Sequence, residues 1–223
     1  GIERRLNRLR IFDMYDIAHT DQRKLYKEFG VNAEYLIDHS WGKESCTIAD
    51  IKAYKPKTNS ISNSQVLFED YSFEKARLVL KEMVELGSLR LIENNLVTDS
   101  VGLYIGYSKD IIKATGGTKR INNTTNVYSE LLRAFLEIYD KTTNRNVEIR
   151  RIGVNFANVV ETENVQLNLF TDQEKIDRER KLELTMLGIK NKMGKNTIIR
   201  GMDLEEGATT IARNRMVGGH NAI

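Results

Sequence analysis

The residues best suited to chemistry are basic and small polar side chains, gathered in a few short stretches. Arg150 and Arg151 open a segment that alternates between polar and apolar residues, and residues 109–125 hold four basic groups against one acid, Asp110. Basic side chains and accessible backbone amides spread over a wide surface allow contact with phosphates whatever the base sequence. The candidates for such contact are Ser60, Ser62, Ser64, Lys109, Lys113, Lys119, Arg120, Arg150, Arg151 and Asn155.

No catalytic centre can be assembled from the sequence. Cys46 is the single cysteine and the three histidines lie far apart, so no metal-ligand spacing and no Cys–His pair is present. No carboxylates are spaced as ligands for two metal ions. Gly116-Gly117-Thr118-Lys119 superficially suggests a phosphate loop, but it lacks the Walker A spacing and is more typical of a hairpin turn. The chain by itself is therefore predicted to hold no metal or cofactor and to catalyse nothing.

Length and composition exclude several classes of protein. The 223 residues, 40% of them hydrophobic, can bury one substantial core or two small ones. A net charge of +3 names no partner by itself. No apolar run approaches the roughly 20 residues of a membrane span, and no signal-peptide pattern is present. We therefore expect a cytoplasmic protein with no membrane partner.

A repeating order of strands and helices must position these side chains. Val66 and Phe68 alternate in a first strand, and strict alternation from Val101 to Tyr107 predicts a second. The polar stretch Thr118–Thr125 is a third candidate, and Ile152–Phe156 is the last.

Two helices separate these strands. One follows the capping residue Ser72 and carries apolar residues from Ala76 to Leu91, spaced by threes and fours, and the other extends from Tyr128 to Tyr139. The order β-α-β-β-α-β predicts an α+β fold, with a four-stranded antiparallel sheet and both helices on one face. The other face is left open for binding, or it is an ordinary solvated surface. Because we expect no cluster of exposed aromatic residues there, binding to duplexes is favoured over stacking on unpaired bases.

The flanking regions differ from this domain in character. Residues 1–50 are predicted to form short helices joined by tight turns, in the manner of a helix-hairpin-helix, although Arg10-Ile11-Phe12 stands at the bend. Residues 51–59, with the only proline, predict an extended linker. We place the sheet domain at 60–160. Residues 161–223 then form a peptide, an exposed amphipathic helix over 173–193 and a loosely ordered tail from Gly194.

A short linear motif follows the sheet domain. Gln166-Leu167-Asn168-Leu169-Phe170 is similar to the Q-L-x-L-F peptide that tethers bacterial polymerases and repair proteins to the sliding clamp. Leu169 and Phe170 suit an apolar cleft on a partner, with Gln166 and Leu167 completing the motif. The alternative is that these residues cover an edge of the preceding domain.

Several segments together resemble one family. They look like the C-terminal half of a Y-family translesion DNA polymerase, of the UV-damage repair branch (ImpB/MucB/SamB type) of Gram-positive bacteria, their phages and plasmids. The segments that carry the resemblance are Gly1–Leu9, Trp41–Ser45, Ala53–Ser60, Arg150–Phe156, the clamp-type peptide and Gly201–Thr210.

The resemblance implies a role for each region. Residues 1–50 would be the remnant of the thumb, and 60–160 the little finger, which grips primer-template DNA. Arg150, Arg151 and Asn155 would touch template phosphates, although a basic residue is commoner where Asn155 stands. The palm, with its Mg²⁺-binding carboxylates, would lie upstream, so error-prone synthesis in the SOS response would belong to the parent protein, near the nucleoid.

Two other functions stay open at this point. A protein-interaction adaptor would use both the sheet face and the Gln166–Phe170 peptide to contact proteins, without binding DNA. An RNA-binding module has a similar order of elements, but Tyr104 is the only candidate for aromatic stacking on the central strands.

Overall fold

The computed structural model describes residues 1–54, 59–108, 112–162, 173–217 and 220–221. The chain divides into two compact units, Gly1–Lys57 and Thr58–Ile223. The first unit is helical, and the second combines a sheet with helices. Over these described ranges, no helix has both the length and the apolar composition needed to cross a bilayer.

The first unit is built from short helices that pack on one another. The helices described there are α1 (Ile2–Arg8), α2 (Met14–His19), α3 (Gln22–Phe29), α4 (Asn32–Ser40) and α5 (Ile48–Ala53). Their common core consists of Ile11, Ile17, Leu25, Phe29, Ala33 and Ile37. Arg10 takes a positive φ of 59° at the bend after α1, which turns Ile11 into the core and leaves Phe12 72% exposed.

Helix α5 corrects one prediction. Thr47 and Asp50 form a reciprocal capping box at its N-terminus. The helix extends to Ala53, so residues 51–53 of the region predicted to be an extended linker are helical. Residues 55–58, which include the only proline, lie outside the described residues.

The second unit has the predicted order of elements. Its main strands are β1 (Ile61–Tyr71), β2 (Leu96–Tyr107), β3 (Thr115–Thr125) and β4 (Ile149–Ala157), and they lie in the sheet order β1-β4-β2-β3. All neighbouring strands are antiparallel, and the short strand β5 (Val160–Glu161) pairs with the start of β2. The α+β prediction is confirmed, with β5 as an addition.

Both crossover helices cover one face of this sheet. They are α6 (Phe73–Glu93) and α7 (Tyr128–Thr142). The core between helices and sheet includes the positions predicted from spacing, such as Met83, Phe135 and Phe156, all at most 1% exposed. Ser72 caps α6 by accepting a hydrogen bond from the Lys75 N–H.

Strand β1 turns a different face to the core than its apolar residues suggest. Gln65 and Leu67 are buried, whereas Val66 and Phe68 are 55% and 49% exposed. Ser62 and Ser64 share the parity of Val66, so all of them point away from the helices.

The Gly116-Gly117 pair is part of strand β3 and not a hairpin turn. Gly116 pairs with Tyr104 and Gly117 with Leu103, so the connection between β2 and β3 lies before Thr115. Gly116 has φ +128°, and a Cβ at this position would overlap the carbonyl oxygen of Leu103. The absence of a side chain at Gly116 therefore allows β3 to pack closely against β2. The prediction of a hairpin turn at Gly116-Gly117 was wrong.

The C-terminal region forms a further layer on the outer side of α6. Helix α8 (Gln173–Met193) crosses α6 and buries Glu183 and Met186. The Glu183 carboxylate accepts hydrogen bonds from the Tyr128 N–H and from the Ser88 hydroxyl, and Arg200 lies 3.7 Å away. Burial, followed by the neighbouring Glu179 carboxylate, raises the pKa of Glu183 to about 7.

Residues from Gly194 to Met216 are folded onto this layer. They contain a 3-10 turn (Gly201–Leu204), the short helix α9 (Thr210–Arg213) and the start of strand β6 (Met216–Val217), which pairs antiparallel with β7 (His220–Asn221). Arg200 lies 3.2 Å from Glu85 of α6, with its guanidinium over the ring of Tyr128. The expectation of a loosely ordered tail is therefore wrong for these residues.

Candidate nucleic-acid interface

The sheet face turned away from α6 and α7 carries small polar side chains along its middle. Ser62 of β1 pairs with Asn155 of β4, which lies opposite Gly102 of β2. The next row joins Ser64, Gly153, Tyr104 and Gly116 across the four strands. We call this surface the open sheet face, because its serines and Tyr104 are exposed within the described chain.

A β-bulge places two adjacent arginines on the open sheet face. Arg151 lies opposite Gly106 and Ile149 opposite Tyr107, so Arg150 is an extra residue in β4. In a regular strand, one of two neighbouring side chains would point into the core. A bulge changes the direction of the adjacent side chain, so both can point to the same face. Ile149 and Ile152 are both fully buried, and Arg150 and Arg151 between them reach solvent.

The charges of the open sheet face are partly neutralised by local carboxylates. Arg150 lies 3.6 Å from Asp70, and Arg120 lies 3.1 Å from Asp99 at the opposite end of the sheet. Arg151 has no ion pair among the described residues. The positive charge that remains on this face is therefore at the Arg150–Arg151 end, where Arg151 is available to an external anion.

Among the described residues, Tyr104 is the one large side chain in the middle of this face. A Cβ on Gly106 would come within 3.3 Å of the tyrosine ring, and a Cβ on Gly153 within 3.3 Å of the tyrosine Cβ. The ring thus lies down over backbone, beside Arg151, and remains 46% exposed. Side chains at Gly106 and Gly153 would push the ring outward from the sheet. The two glycines therefore allow a partner to approach the sheet backbone closely.

The structure gathers only some of the predicted contact residues. Ser62, Ser64, Arg120, Arg150, Arg151 and Asn155 share the open sheet face, and Ser60 is exposed just before β1. Lys113 is exposed in the segment before β3. Lys119 points to the helix side, where it pairs with Glu137 of α7, so its placement on the binding face was wrong. Lys109 and the Gln166–Phe170 peptide lie outside the described residues.

The exposed apolar residues of this surface were not predicted from the sequence. Val66 follows Ser62 and Ser64 on the outward parity of β1, opposite Arg151, and Phe68 is exposed beyond it. The two serines, which precede Val66 by two and four residues, were the signal that could have placed it outward. Together with Tyr104, these side chains make the face more apolar than expected.

Metal ligands are not brought together in the described part of the chain. No three His, Cys, Asp or Glu side chains converge there in a way that could hold an ion. The groups that the open sheet face offers to a partner are its arginines, its serine hydroxyls, the Asn155 amide and the Tyr104 ring.

The comparisons with known proteins agree with this architecture. Residues 58–169, half of the chain, match the model of the impB/mucB/samB family C-terminal domain. The chain belongs to the ImpB/MucB/SamB family. The matched residues comprise the whole sheet with α6 and α7, and α8 and the tail lie beyond them.

Several relatives are DNA polymerases or carry the names of repair proteins. UvrX of Bacillus subtilis (strain 168), which bears the name of a UV-damage repair protein, is 31% identical over 99% of this chain and 52% of its own length. DNA polymerase IV 2 of the same organism is 28% identical over 96% of this chain and 52% of its own length. The chain thus spans about half the length of these relatives. A solved Y-family DNA polymerase chimera of Dbh and Dpo4 is 18% identical over 72% of this chain and 45% of its own, with a TM-score of 0.42.

Proposed function

We propose that this chain is the DNA-gripping and clamp-tethering part of a Y-family translesion DNA polymerase. The open sheet face would lie along the sugar-phosphate backbone of primer-template DNA without reading its sequence. The observation that carries this proposal is the pair Arg150 and Arg151, which a bulge holds together on an exposed face of small residues. Family membership supports it, since relatives of this chain are named as DNA polymerases.

The polymerase reaction itself is assigned to the other half of such a protein. Nucleotidyl transfer and its Mg²⁺ ions would belong to a palm outside this chain, which spans 52% of the length of UvrX and of DNA polymerase IV 2. The present chain would contribute affinity and position, acting at the bacterial nucleoid during error-prone synthesis in the SOS response.

The test is a salt titration of duplex binding. The full chain would be titrated against a labelled primer-template duplex, and fluorescence anisotropy would give the dissociation constant at several salt concentrations. Each phosphate contact contributes about 0.9 to the slope of log affinity against log salt. Arg150→Ala with Arg151→Ala should therefore weaken binding on every sequence alike and make the slope shallower by up to about 2.

A matched pair of substitutions controls for charge alone. Arg133 and Lys141 are exposed on α7, on the other side of the sheet, and neither has an ion pair among the described residues. Arg133→Ala with Lys141→Ala removes the same charge and should leave the slope nearly unchanged. A double variant at Arg150 and Arg151 that binds like the wild type would reject the proposed grip.

The clamp tether rests on the Gln166–Phe170 sequence and has its own test. Leu169→Ala with Phe170→Ala should abolish binding to a purified bacterial sliding clamp in calorimetry, because both apolar anchors are lost. Asn168→Ala, at the variable position of the motif, should bind as the wild type does. Equal clamp affinity for the double variant and the wild type would remove the tether from the proposal.

One observation favours the adaptor alternative. Val66 and Phe68 are exposed apolar side chains on the same face as Arg151, and such residues are common at protein interfaces. Gel shifts of duplex DNA at low and high salt separate the two functions. A chain that shifts no DNA even at low salt would be an adaptor.

A further inference from the structure

A concave surface lies on the other side of the same unit from the open sheet face. Where α8 and α9 meet α6, they leave a cleft of about 420 Å³, which we call the α6–α8 cleft. A volume of this size is typical of ligand sites. Its floor includes Leu86, Leu89 and Leu187. Leu86 is 46% exposed although it lies in the middle of α6, a helix that is otherwise largely buried.

The rim of the α6–α8 cleft is basic. It includes Arg90, Lys190, Lys195 and Arg213. None of these four side chains forms an ion pair among the described residues. Burial lowers the pKa of Arg213 and outweighs the opposing effect of the Glu82 carboxylate, so its guanidinium is already partly stripped of water. A carboxylate that reached it would not have to displace a full hydration shell.

The carboxylates that also line the cleft are already engaged. Glu82 accepts hydrogen bonds from the backbone N–H groups of Thr209 and Thr210 and from the Thr209 hydroxyl, at 2.8 to 2.9 Å. Glu85 lies 3.2 Å from Arg200, and Glu93 accepts a hydrogen bond from the Asn191 amide. The surface that remains for a partner therefore combines an apolar floor with cations that form no ion pair among the described residues, although Lys190 donates a hydrogen bond to the Lys195 carbonyl.

This combination selects one kind of partner. A nucleic-acid backbone would suit the cations, but interfaces with nucleic acid are polar and hydrated, and it would leave the leucine floor unused. An acidic peptide with an aliphatic side chain satisfies both parts of the surface, by apolar anchoring in a pocket and by charge complementarity at its rim.

We propose that the α6–α8 cleft binds an acidic peptide segment of a partner protein. An aliphatic side chain of that segment would sit on Leu86 and Leu187, and its carboxylates would face Lys190, Lys195 and Arg213. Lys190, Lys195 and Arg213 all lie beyond the residues that match the family C-terminal domain, so α8 and the tail supply these three cations of the cleft. Because the helices separate the cleft from the open sheet face, one molecule could engage DNA and the partner together.

The probe is a short fluorescein-labelled peptide in which two leucines are flanked by runs of glutamate. Fluorescence polarisation with the full chain should show saturable binding. Lys190→Glu with Lys195→Glu should weaken it by at least about tenfold, as expected when two attractive charge pairs become repulsive. Leu86→Ser should weaken it by about fivefold or more through loss of the apolar anchor.

The matched control is a charge reversal elsewhere on the same helix. Arg178 and Lys181 are exposed on α8 and do not line the cleft. Arg178→Glu with Lys181→Glu makes the same change of net charge and should leave peptide binding unchanged, as should Arg150→Ala with Arg151→Ala. The second control separates this proposal from the DNA grip, because either surface can fail without the other.

Several results would overturn the proposal. One is the absence of saturable peptide binding by the wild type, and another is a reversal at Arg178 and Lys181 that weakens binding as much as the reversal in the cleft. A peptide with serine in place of leucine that binds equally well would show attraction by charge alone. Displacement of the peptide by duplex DNA, with loss of duplex binding in the Lys190 and Lys195 variant, would make the cleft a nucleic-acid surface.

Discussion

The attachment of the tail to α6 can be tested by removing one carboxylate. Glu82 is 3% exposed, and its two oxygens accept hydrogen bonds from the Thr209 N–H, the Thr209 hydroxyl and the Thr210 N–H. Thr209 is fully buried. Glu82→Ala would therefore leave three donors without this acceptor while the tail stays in place, two of them buried and one partly buried.

The size of the effect follows from those three donors. Each buried donor left unsatisfied costs about 1–3 kcal/mol, so we expect a loss of about 3–5 kcal/mol of unfolding free energy. If the tail were released into water, the donors would be hydrogen-bonded again. The loss of unfolding free energy therefore cannot exceed the free energy that attaches the tail to the rest of the unit. Glu205→Ala is the matched control, because Glu205 is an exposed tail carboxylate without a side-chain partner among the described residues.

Urea unfolding followed by two probes measures this loss. Circular dichroism reports mainly on the larger second unit, and fluorescence of Trp41, the only tryptophan, reports on the first unit. Glu82→Ala should shift the dichroism transition to lower urea and leave the Trp41 transition in place. Hydrogen exchange should at the same time show lost protection at residues 207–213. Unchanged transitions together with retained protection would refute the role given to Glu82.

Two further predictions concern stability. In denaturant unfolding, Gly116→Ala should cost at least about 3 kcal/mol, because it adds a Cβ against the Leu103 carbonyl at a φ that favours glycine. The control Gly201→Ala should be nearly neutral, because a Cβ there would meet nothing. Equal costs for the two variants would contradict the close strand contact inferred at Gly116. The pKa of Glu183 is raised from 4.5 to about 7, so the folded state favours the protonated side chain. The stability that this group contributes to the fold is therefore fully present below pH 4.5 and is lost as the pH rises through 7. Glu183→Gln, which stays neutral, should therefore gain up to about 3 kcal/mol relative to the wild type between pH 5 and pH 8, and parallel stability profiles would contradict this.

The order of elements could be predicted because it rests on local periodicity. The spacing of apolar residues in α6 and α7 and the alternation in β2 and β4 persist over many residues, and each pattern points to one face. The open sheet face followed from the same patterns, since polar residues on one parity of a strand leave that face to solvent or to a partner.

The misplaced residues depend on information that local patterns do not hold. Gln65 looks like a surface residue, yet it is buried with both side-chain amide atoms lacking a hydrogen-bond partner in the described chain, and Val66 beside it is exposed. The Arg150 bulge is set by pairing with β2, and Gly116 is required by a carbonyl of another strand. The alternation of residues within β3 or β4 therefore reveals neither the bulge nor the need for glycine at position 116.

The fold of the tail was missed for a related reason. Its glycines and threonines are typical of a disordered segment. Its partners, however, lie far away in sequence: Lys75 holds Glu206 at 2.7 Å, and Glu82 holds Thr209. Contacts across more than a hundred residues leave no local signal in the spacing of apolar residues.

The most direct test of the DNA grip is to observe which side of the sheet the duplex touches. Amide resonances of the isotopically labelled chain would be followed while a primer-template duplex is added. We predict shifts at Ser62, Ser64, Gly153 and Asn155 on the open sheet face, with little change in α8. Shifts confined to α8 and the α6–α8 cleft, with an unchanged sheet, would contradict the central claim.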